Sequence, residues 1–168
     1  GSENYPTLAK VESDFKDVSA SEKIELIKKV YNKAKSYDSR LVNFPYCEYM
    51  EASNKREVLN SKGLHLVKEI EYGGAILSAV AMENGETQDG TGINIKLKFS
   101  EINADEVAEK ACKEAISMLG AKPIASGIYD VIIENNAMTS LLSGFSSMFS
   151  GEAAIRRLTS LIGKEGQK

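Results

Sequence analysis

The side chains that could carry chemistry in this 168-residue chain are few and scattered. His65 is the only histidine, so a metal site built from two imidazoles cannot form within the chain. Because His65 lies between Leu64 and Leu66 in a strand-like segment, we interpret it as a packed or rim-exposed side chain rather than a general base. The chain is therefore poor in catalytic material.

The two cysteines and one glycine-rich segment are the other candidates. Cys47 and Cys112 lack CxxC spacing, so we interpret both as small core residues in a reducing compartment. A dyad of either cysteine with His65 stays open as an alternative, in which the chain is an enzyme that works alone. Residues 88–92 are rich in glycine, but a strand-like pattern follows them and no lysine does. They therefore predict a flexible connection and not a phosphate-binding loop.

Composition excludes several classes of protein. The chain is 42% hydrophobic and 27% charged, as is typical of globular proteins. Its 21 lysines and arginines against 24 acidic residues give a net charge of -3, which argues against direct binding of nucleic acid. No run of about 18 uncharged apolar residues predicts a membrane span. With no signal-like start, we expect a cytoplasmic protein without a membrane or nucleic-acid partner.

Helical patterns flank the middle of the chain. Ser19 and Glu22 have the spacing of a capping box, and apolar residues recur at helical spacing over residues 21–36. Asn103, with an acidic residue three positions on, predicts the start of a second amphipathic helix. Gly120 predicts its end, since a left-handed residue closes the last turn there.

The segment between these helices alternates like a sheet. Residues 60–63 and Asn84-Gly85 predict tight turns, while Gly73-Gly74 predicts a break between strands. Alternation in residues 64–72 predicts a strand with one buried face, in which two sets of side chains alternate: Leu64, Leu66, Lys68, Ile70 and Tyr72 against His65, Val67, Glu69 and Glu71. Strands are predicted over residues 46–52, 57–60, 64–72, 75–82 and 93–99. The fold class is therefore α+β, an antiparallel β-meander of four or five strands packed by helices.

A helix without charge is predicted close to the C-terminus. Residues 129–133 predict a short strand, and residues 135–151 after them contain no charged side chain. Small residues fill the positions between the apolar ones, so this helix can pack on both sides and has the character of an interface. Its possible interface residues are Met138, Leu141, Leu142, Phe145 and Phe149.

The ends of the chain set the predicted domain organisation. Residues 1–18 are polar and irregular, and Gly1-Ser2 has the form of a tag remnant, so we expect a flexible arm there. Residues 19–168 are predicted to form a single α+β domain. Because the last residues do not close a helix or a strand, we expect that the chain is part of a longer protein.

Several segments, taken in order, resemble the TldD/PmbA family, whose members are known as modulators of DNA gyrase and are classed with metallopeptidases. The resemblance covers about residues 52–168, and its most diagnostic part is 126–133. The segments are 58–64, 88–90, 106–119 and 126–133, followed by Leu141-Leu142, Ser150-Gly151, Ser160 and Gly163.

The resemblance also separates two branches of the family by their chemistry. In the TldD-like branch a helix carries His-Glu-x-x-x-His, whose two imidazoles bind zinc while the glutamate polarises water. That motif falls on residues 143–148 here, with Ser143, Gly144 and Met148 at the functional positions. Because these residues cannot hold zinc, the chain resembles the PmbA, or TldE-like, branch. No cofactor is then expected in this chain.

The function implied by the resemblance is that of a non-zinc-binding subunit in a cytoplasmic TldD/TldE-type metallopeptidase system that degrades peptides or unfolded proteins. The chain alone is not expected to be catalytic. Its implied partners are a TldD-like subunit that carries the zinc, an extended peptide substrate, and further copies in a homo- or hetero-oligomer. A C-terminal domain is expected beyond this chain. The alternative is a non-catalytic interaction module that modulates DNA gyrase or toxin–antitoxin partners.

Overall fold

The computed structural model describes residue 5, residues 7–164 and residues 166–167. The chain divides into two compact units, Gly1–Lys122 and Pro123–Lys168. The first unit contains a β-sheet and two long helices, and the second contains two shorter helices. The single domain over residues 19–168 stays a prediction, and each unit is described below by itself.

The first unit is an antiparallel meander with the strand order β1-β2-β3. The fold class is therefore confirmed as α+β, although the described residues form three long strands instead of four or five shorter ones. A 3₁₀ turn precedes the first helix, and another precedes the second. The elements are a 3₁₀ turn Phe15–Asp17, α1 Ala20–Lys35, β1 Leu41–Leu59, β2 His65–Glu83, β3 Glu86–Lys96, a 3₁₀ turn Phe99–Glu101 and α2 Ala104–Ser117.

Two turns join the strands where the sequence predicts them. Asn84 and Gly85 have φ angles of 50° and 82°, the left-handed pair that a two-residue hairpin requires. In the turn between β1 and β2, Asn60 Oδ1 accepts hydrogen bonds from the backbone N–H groups of Lys62 at 2.9 Å and Leu64 at 3.1 Å. Local side-chain chemistry therefore fixes both reversals of the chain.

The predicted break at Gly73-Gly74 is wrong, because β2 runs through both residues without interruption. Both glycines pair with β1 on one side and β3 on the other, which satisfies their backbone groups. A Cβ at Gly73 would lie 2.7 Å from the ring of Phe15 and 2.8 Å from the carbonyl oxygen of Met50. These glycines therefore provide space for close packing inside a strand.

Both helices of the first unit begin as predicted. Ser19 Oγ accepts a hydrogen bond from Glu22 N at 3.3 Å, and Glu22 Oε2 accepts one from Ser19 N at 2.9 Å, which completes the capping box. Asn103 Oδ1 caps α2 by accepting hydrogen bonds from two backbone N–H groups. Gly120 follows α2 with a φ of 76°, the left-handed conformation expected there.

Helices α1 and α2 cover one face of the sheet, and the core lies between them and the strands. Leu77 of β2, Val30 of α1, and Val107 and Cys112 of α2 are the largest fully buried side chains. Most of the other core residues are alanines, which let the helices approach the sheet closely. They are Ala34, Ala75, Ala79, Ala81, Ala104, Ala108, Ala111 and Ala115.

The glycine-rich segment 88–92 is not the predicted flexible connection, because it forms the middle of β3. A Cβ on Gly92 would run into the carbonyl oxygen of Val107, and one on Gly90 would lie 2.5 Å from the backbone nitrogen of Ala115. The backbone of α2 therefore lies directly on these glycines, and any side chain at either position would push the helix away.

The end of the predicted arm is packed against the first unit. Phe15 is 5% exposed, and its ring meets that of Phe99 edge to face with centroids 6.4 Å apart. The Asp14 carboxylate accepts hydrogen bonds from the backbone N–H of Phe99 and from the hydroxyl of Ser100. Residues 14–17 thus differ from the flexible arm expected over residues 1–18, because one aromatic anchor and one capping carboxylate order them.

The second unit contains α3 Asn135–Phe145, a 3₁₀ turn Ser146–Phe149 and α4 Gly151–Ile155. The predicted uncharged helix is thus present, but it is shorter than the uncharged segment 135–151 of the sequence. The predicted strand over residues 129–133 pairs with no other strand in the described part of the chain. None of the described residues from 123 onward is buried, so this unit has no core of its own.

Candidate functional site

Helix α3 and the turn after it carry the predicted interface residues. Leu141, Leu142 and Phe145 are exposed on α3, and Phe149 in the following turn is 78% exposed. Met138 is half-buried within the same unit. The structure brings these five side chains onto one short helical segment and leaves all of them except Met138 exposed. Their role as an interface stays a prediction.

The residues onto which the resemblance places the zinc motif lie on the same segment, and that placement stays a prediction. Ser143 Oγ donates a hydrogen bond to the carbonyl oxygen of Ser140 at 2.9 Å, and Ser146 Oγ donates one to that of Ser143 at 2.7 Å. These hydroxyls are thus engaged by their own helix, Gly144 has no side chain, and Met148 supplies only a thioether. Such a donor set does not fit zinc, which proteins hold with imidazole, thiolate and carboxylate groups.

The described residues also contain no group of three or more His, Cys, Asp or Glu side chains that could hold a metal ion. His65 instead lies at the start of β2, with its Nε2 atom 2.6 Å from Glu57 Oε1. Both side chains of this pair are largely exposed to solvent. It is a surface pair and not part of an enclosed site.

The two cysteines are not placed for a dyad with His65. Cys47 pairs with Leu77 in the sheet and His65 with Leu59, twelve residues further along the ladder, a separation of about 40 Å. Cys112 is fully buried in α2. Burial raises the pKa of both thiols, that of Cys112 to about 11, so neither is poised as a thiolate.

A polar cluster that the sequence did not predict joins α1 to β1. Lys23 Nζ lies 2.9 Å and 2.7 Å from the two carboxylate oxygens of Glu51, and the hydroxyl of Tyr49 donates to the same carboxylate at 2.7 Å. The hydrogen bond from Lys23 lowers the pKa of Glu51, and burial with the bond to Glu51 raises that of Tyr49. Each of these polar groups has a hydrogen-bond or ion-pair partner within the cluster, so we assign the cluster a structural role.

The second feature that sequence reasoning missed is the face of the sheet opposite the helices, called the open face below. It carries large apolar side chains that remain about half exposed, Ile93 and Ile95 at 48% each. Of the two alternating sets in residues 64–72, the one that contains Leu66, Ile70 and Tyr72 lies on this open face. Its exposed apolar residues are Tyr46, Met50, Val58, Tyr72, Met82, Ile93 and Ile95.

The sheet narrows to two strands at one end. Strand β3 pairs only with residues 73–83 of β2, so residues 52–59 and 65–72 extend beyond it as a two-stranded ribbon. On the open face of this ribbon, Arg56 lies directly opposite Lys68. Like charges in such a pair destabilise a hairpin. Alternating charges along β1 and β2 were the sequence signal for this pair. Only the register of the two strands shows that Arg56 and Lys68 lie opposite each other.

The comparison with protein families gives a direct assignment. Residues 13–119 match the PmbA/TldA metallopeptidase central domain, and this match covers more than half of the chain. The chain therefore belongs to the PmbA/TldA metallopeptidase family, whose central domain it contains.

Two solved structures illustrate the likeness in fold. One is a proposed modulator of a DNA gyrase from Thermotoga maritima, with a TM-score of 0.87 and 29% identity over 98% of this chain. Another is a proposed modulator of DNA gyrase from Bacteroides thetaiotaomicron, with a TM-score of 0.84 and 21% identity over 96% of this chain. This chain spans 38% and 37% of their lengths.

No curated protein sequence gave a significant match. Among the residues that the structure describes, no helix has the length and apolar character needed to cross a bilayer.

Proposed function

We propose that this chain is part of a PmbA/TldE-like subunit that binds no zinc and works within a cytoplasmic TldD/TldE-type metallopeptidase system on peptides or unfolded proteins. Family membership supports the metallopeptidase context. The observation that carries the proposal is the donor set on α3 and the following turn, where the resemblance aligns Ser143, Gly144 and Met148 with the zinc motif. Zinc and the water-polarising glutamate would come from a TldD-like subunit.

The contribution of this chain in that system is binding. The uncharged surface of α3, with Leu142, Phe145 and the adjacent Phe149, offers an apolar contact for the catalytic subunit. An extended peptide could add as a strand to an edge of the sheet, whose edge strands are β1 and β3. The partner and the substrate are both proposals, because this chain spans less than two-fifths of the length of its solved relatives.

A reconstitution experiment tests this function. The full-length protein is mixed with the TldD-like protein of the same organism, and cleavage of an unstructured peptide is measured with each subunit alone and with both. We expect cleavage to require both subunits and bound zinc to stay with the TldD-like one. Activity of the TldD-like protein that is unchanged by this subunit would overturn the proposal, as would stoichiometric zinc on this subunit alone.

Matched variants of α3 locate the contact. Phe145→Asp places a charge among the exposed apolar residues, and we expect it to lower complex formation and cleavage together, by about tenfold or more. Ser140→Asp, on the same helix but outside the predicted interface set, is the control and should leave both nearly unchanged. Equal losses in the two variants would mean that the helix itself was damaged and that the contact is not specific to the apolar residues.

A second candidate function is a non-catalytic interaction module that modulates DNA gyrase or toxin–antitoxin partners. It is favoured by the Thermotoga maritima relative, which is described as a proposed modulator of a DNA gyrase. Supercoiling by purified gyrase with and without the full-length protein tests it directly. A change in supercoiling without the TldD-like protein present would favour this second function.

A further inference from the structure

We propose that a cleft of the first unit binds an acidic peptide in extended form, which adds as a strand to the free edge of β2. The cleft lies between residues 65–71 of β2 and residues 7–13, called the arm segment below. This inference deepens the proposed function, on which it rests for the class of ligand, by assigning the peptide to an edge other than the outer edges of β1 and β3. The unpaired backbone of that edge, the position of the arm segment and the free charges of the cleft carry it.

The free edge of β2 begins where β3 ends. Strand β3 pairs with β2 only as far as Gly73, so residues 65–71 have β1 on one side and no strand of the described residues on the other. Within the described part of the chain, no backbone hydrogen bond reaches residues 65–71 from the side opposite β1. An unpaired edge of this kind is a template to which an extended segment can add.

The hydrogen bonds at the two ends of β2 show which residues face this edge. Leu64 accepts a backbone hydrogen bond from Asn60 at 3.0 Å, and Met82 donates one to Arg40 at 2.8 Å, so even-numbered residues bond toward β1. Successive residues of a strand direct their N–H and C=O groups to opposite sides, so the odd-numbered residues face the free edge. These residues are His65, Val67, Glu69 and Glu71. Their span of about 20 Å sets the length of an added strand at about seven residues.

The arm segment runs beside the free edge in the same direction as β2. At one end, Ser13 Oγ donates a hydrogen bond to Glu71 Oε2 at 2.8 Å. At the other end, Thr7 and His65 line the same pocket. The step along the chain from Thr7 to Ser13 equals that from His65 to Glu71, so the arm segment is as extended as the strand. Among the described residues, it makes no backbone hydrogen bond to β2.

A cleft of about 850 Å³ separates the arm segment from β2. Leu8 and Val11 line it on one wall, and Val67 lines it on the other. Phe15 and Asp14 anchor the end of the arm segment to the rest of the first unit, which holds that wall in place. Because both walls point in the same direction, a strand that runs opposite to them forms antiparallel pairs on its two sides. The cleft therefore has the geometry of a slot for one strand.

The free charges of the cleft favour acidic side chains on that strand. Lys10 of the arm segment and Lys68 of β2 line the cleft, and neither has an ion-pair partner among the described residues. Asp17 is also unpaired there, but it lies in the 3₁₀ turn beyond the arm segment. Other charged groups of the cleft are matched by ion pairs, Glu12 with Lys98, Glu69 with Lys55 and Glu71 with Lys16. One free lysine on each wall is complementary to a peptide with carboxylate side chains.

Peptide binding in the absence of the TldD-like protein tests this inference. The probe is a fluorescein-labelled peptide of about seven residues in which threonine and glutamate alternate, and its match carries lysine in place of glutamate. Fluorescence anisotropy measures the binding of both to the 168-residue chain. We expect the glutamate peptide to bind at least about tenfold more tightly. Lys10→Glu and Lys68→Glu should each weaken its binding by about fivefold or more and should strengthen binding of the lysine peptide.

Lys62→Glu is the matched control, since it makes the same charge change in the turn of the ribbon, outside the residues that line the cleft. It should change the dissociation constant by less than about twofold, because salt screens charges that are farther apart than about 8 Å. Circular dichroism checks that every variant is folded. Absence of binding to the unchanged chain would overturn the proposal, and so would equal effects of Lys62→Glu and the two cleft variants.

Backbone methylation of the peptide tests the pairing of the strand. N-methylation at alternate residues removes the N–H donors from one edge of the peptide, and the same pattern shifted by one residue removes those of the other edge. A strand that pairs with both walls loses hydrogen bonds in either case, so each pattern should weaken binding by about tenfold or more. Tolerance of both patterns would overturn strand addition. Tolerance of one pattern would overturn the slot, because only one wall would then pair.

The result is separate from that of the reconstitution experiment. Cleavage that is unchanged by this subunit, together with peptide binding that depends on Lys10 and Lys68, would overturn the proposed function and leave the cleft assigned. Cleavage that requires both subunits, without peptide binding at the cleft, would overturn this inference alone. The full-length protein is measured in the same way, and a cleft covered there by the rest of the chain would overturn the proposal.

Discussion

The two faces of the β-sheet share the same strands but differ in almost every physical property. On the helix-covered face, β3 presents Gly90, Gly92 and the buried Asn94, and β2 presents small residues around Leu77. On the open face, β3 presents Ile93 and Ile95, which remain half exposed. The larger apolar side chains of β3 thus point away from the core that this unit builds for itself.

The contrast teaches that closeness of packing, and not side-chain size, decides which face is the core. Glycine and alanine let the backbone of α2 lie directly on the sheet, where the many short contacts replace large side chains. The open face has side chains of the size expected for a second, thicker packing layer, about 10 Å from the next sheet. The helix-covered face is therefore closely packed within the described residues, whereas the open face is not.

The largest expected effect comes from adding a side chain beneath α2. Gly92→Val places two methyl groups where the Val107 carbonyl lies, so we expect a loss of at least about 3 kcal/mol in the free energy of unfolding, or failure to fold. Thr91→Val, next to it on the open face, should change stability by less than about 1 kcal/mol. Urea unfolding followed by circular dichroism measures both. Similar losses in the two variants would contradict the close approach of α2.

Truncation of one side chain on each face of β2 gives the next largest effects. Leu77→Ala removes a fully buried side chain and should cost about 2–4 kcal/mol. Ile76→Ala, one residue away on the open face, removes a half-buried side chain and should cost about 1 kcal/mol in dilute protein. Urea unfolding compares the two, and an equal cost would mean that the open face is as fully packed as the core.

The pH dependence of stability provides a smaller effect, which comes from the helix-covered face. The hydrogen bond from Lys23 keeps the pKa of Glu51 below its ordinary value of 4.5. The stability that Glu51 contributes is therefore present above pH 4.5 and is lost as the pH falls through its lower folded pKa. Glu51→Gln should flatten the decline in unfolding free energy between about pH 7 and about pH 3. A decline that is unchanged in Glu51→Gln would rule out this coupling.

The smallest expected effect concerns the ribbon, where β1 and β2 extend beyond β3. Lys55→Ala removes an exposed ion pair with Glu69 and should change the unfolding free energy by about 0.5 kcal/mol or less. Lys62→Ala, in the turn of the ribbon, is the control and should be equally mild. A loss above about 1 kcal/mol in Lys55→Ala alone would show that the face of the ribbon opposite the open face has packing that the ion pair supports.

Local features of the fold were predictable because neighbouring residues determine them. The capping box at Ser19, the cap at Asn103 and the hairpin at Asn84-Gly85 all act within a few residues, and the structure confirms each one. The number of strands was not predictable in the same way. Gly73 and Gly92 were predicted to interrupt strands because glycine weakens an isolated strand. In the fold, pairing with neighbouring strands and the close approach of a helix favour glycine at these strand positions.

The candidate sites show the same difference between features that are local in sequence and features that depend on the tertiary fold. Residues 143–148 on α3 and the turn after it could be located from spacing and resemblance, since a motif is a local pattern. The open face could not, because Arg56 and Lys68 are twelve residues apart and become neighbours only through the register of two long strands.

By itself, the sequence determined the α+β class, the helix starts, the turns and the absence of a second histidine, since composition and short-range hydrogen bonding depend on the chain alone. Only the tertiary structure decided which face of the sheet is covered. Alternation separates two sets of side chains but does not say which set meets the helices. That choice depends on how closely a helix backbone can approach, and glycines far from α2 in the sequence make the approach possible.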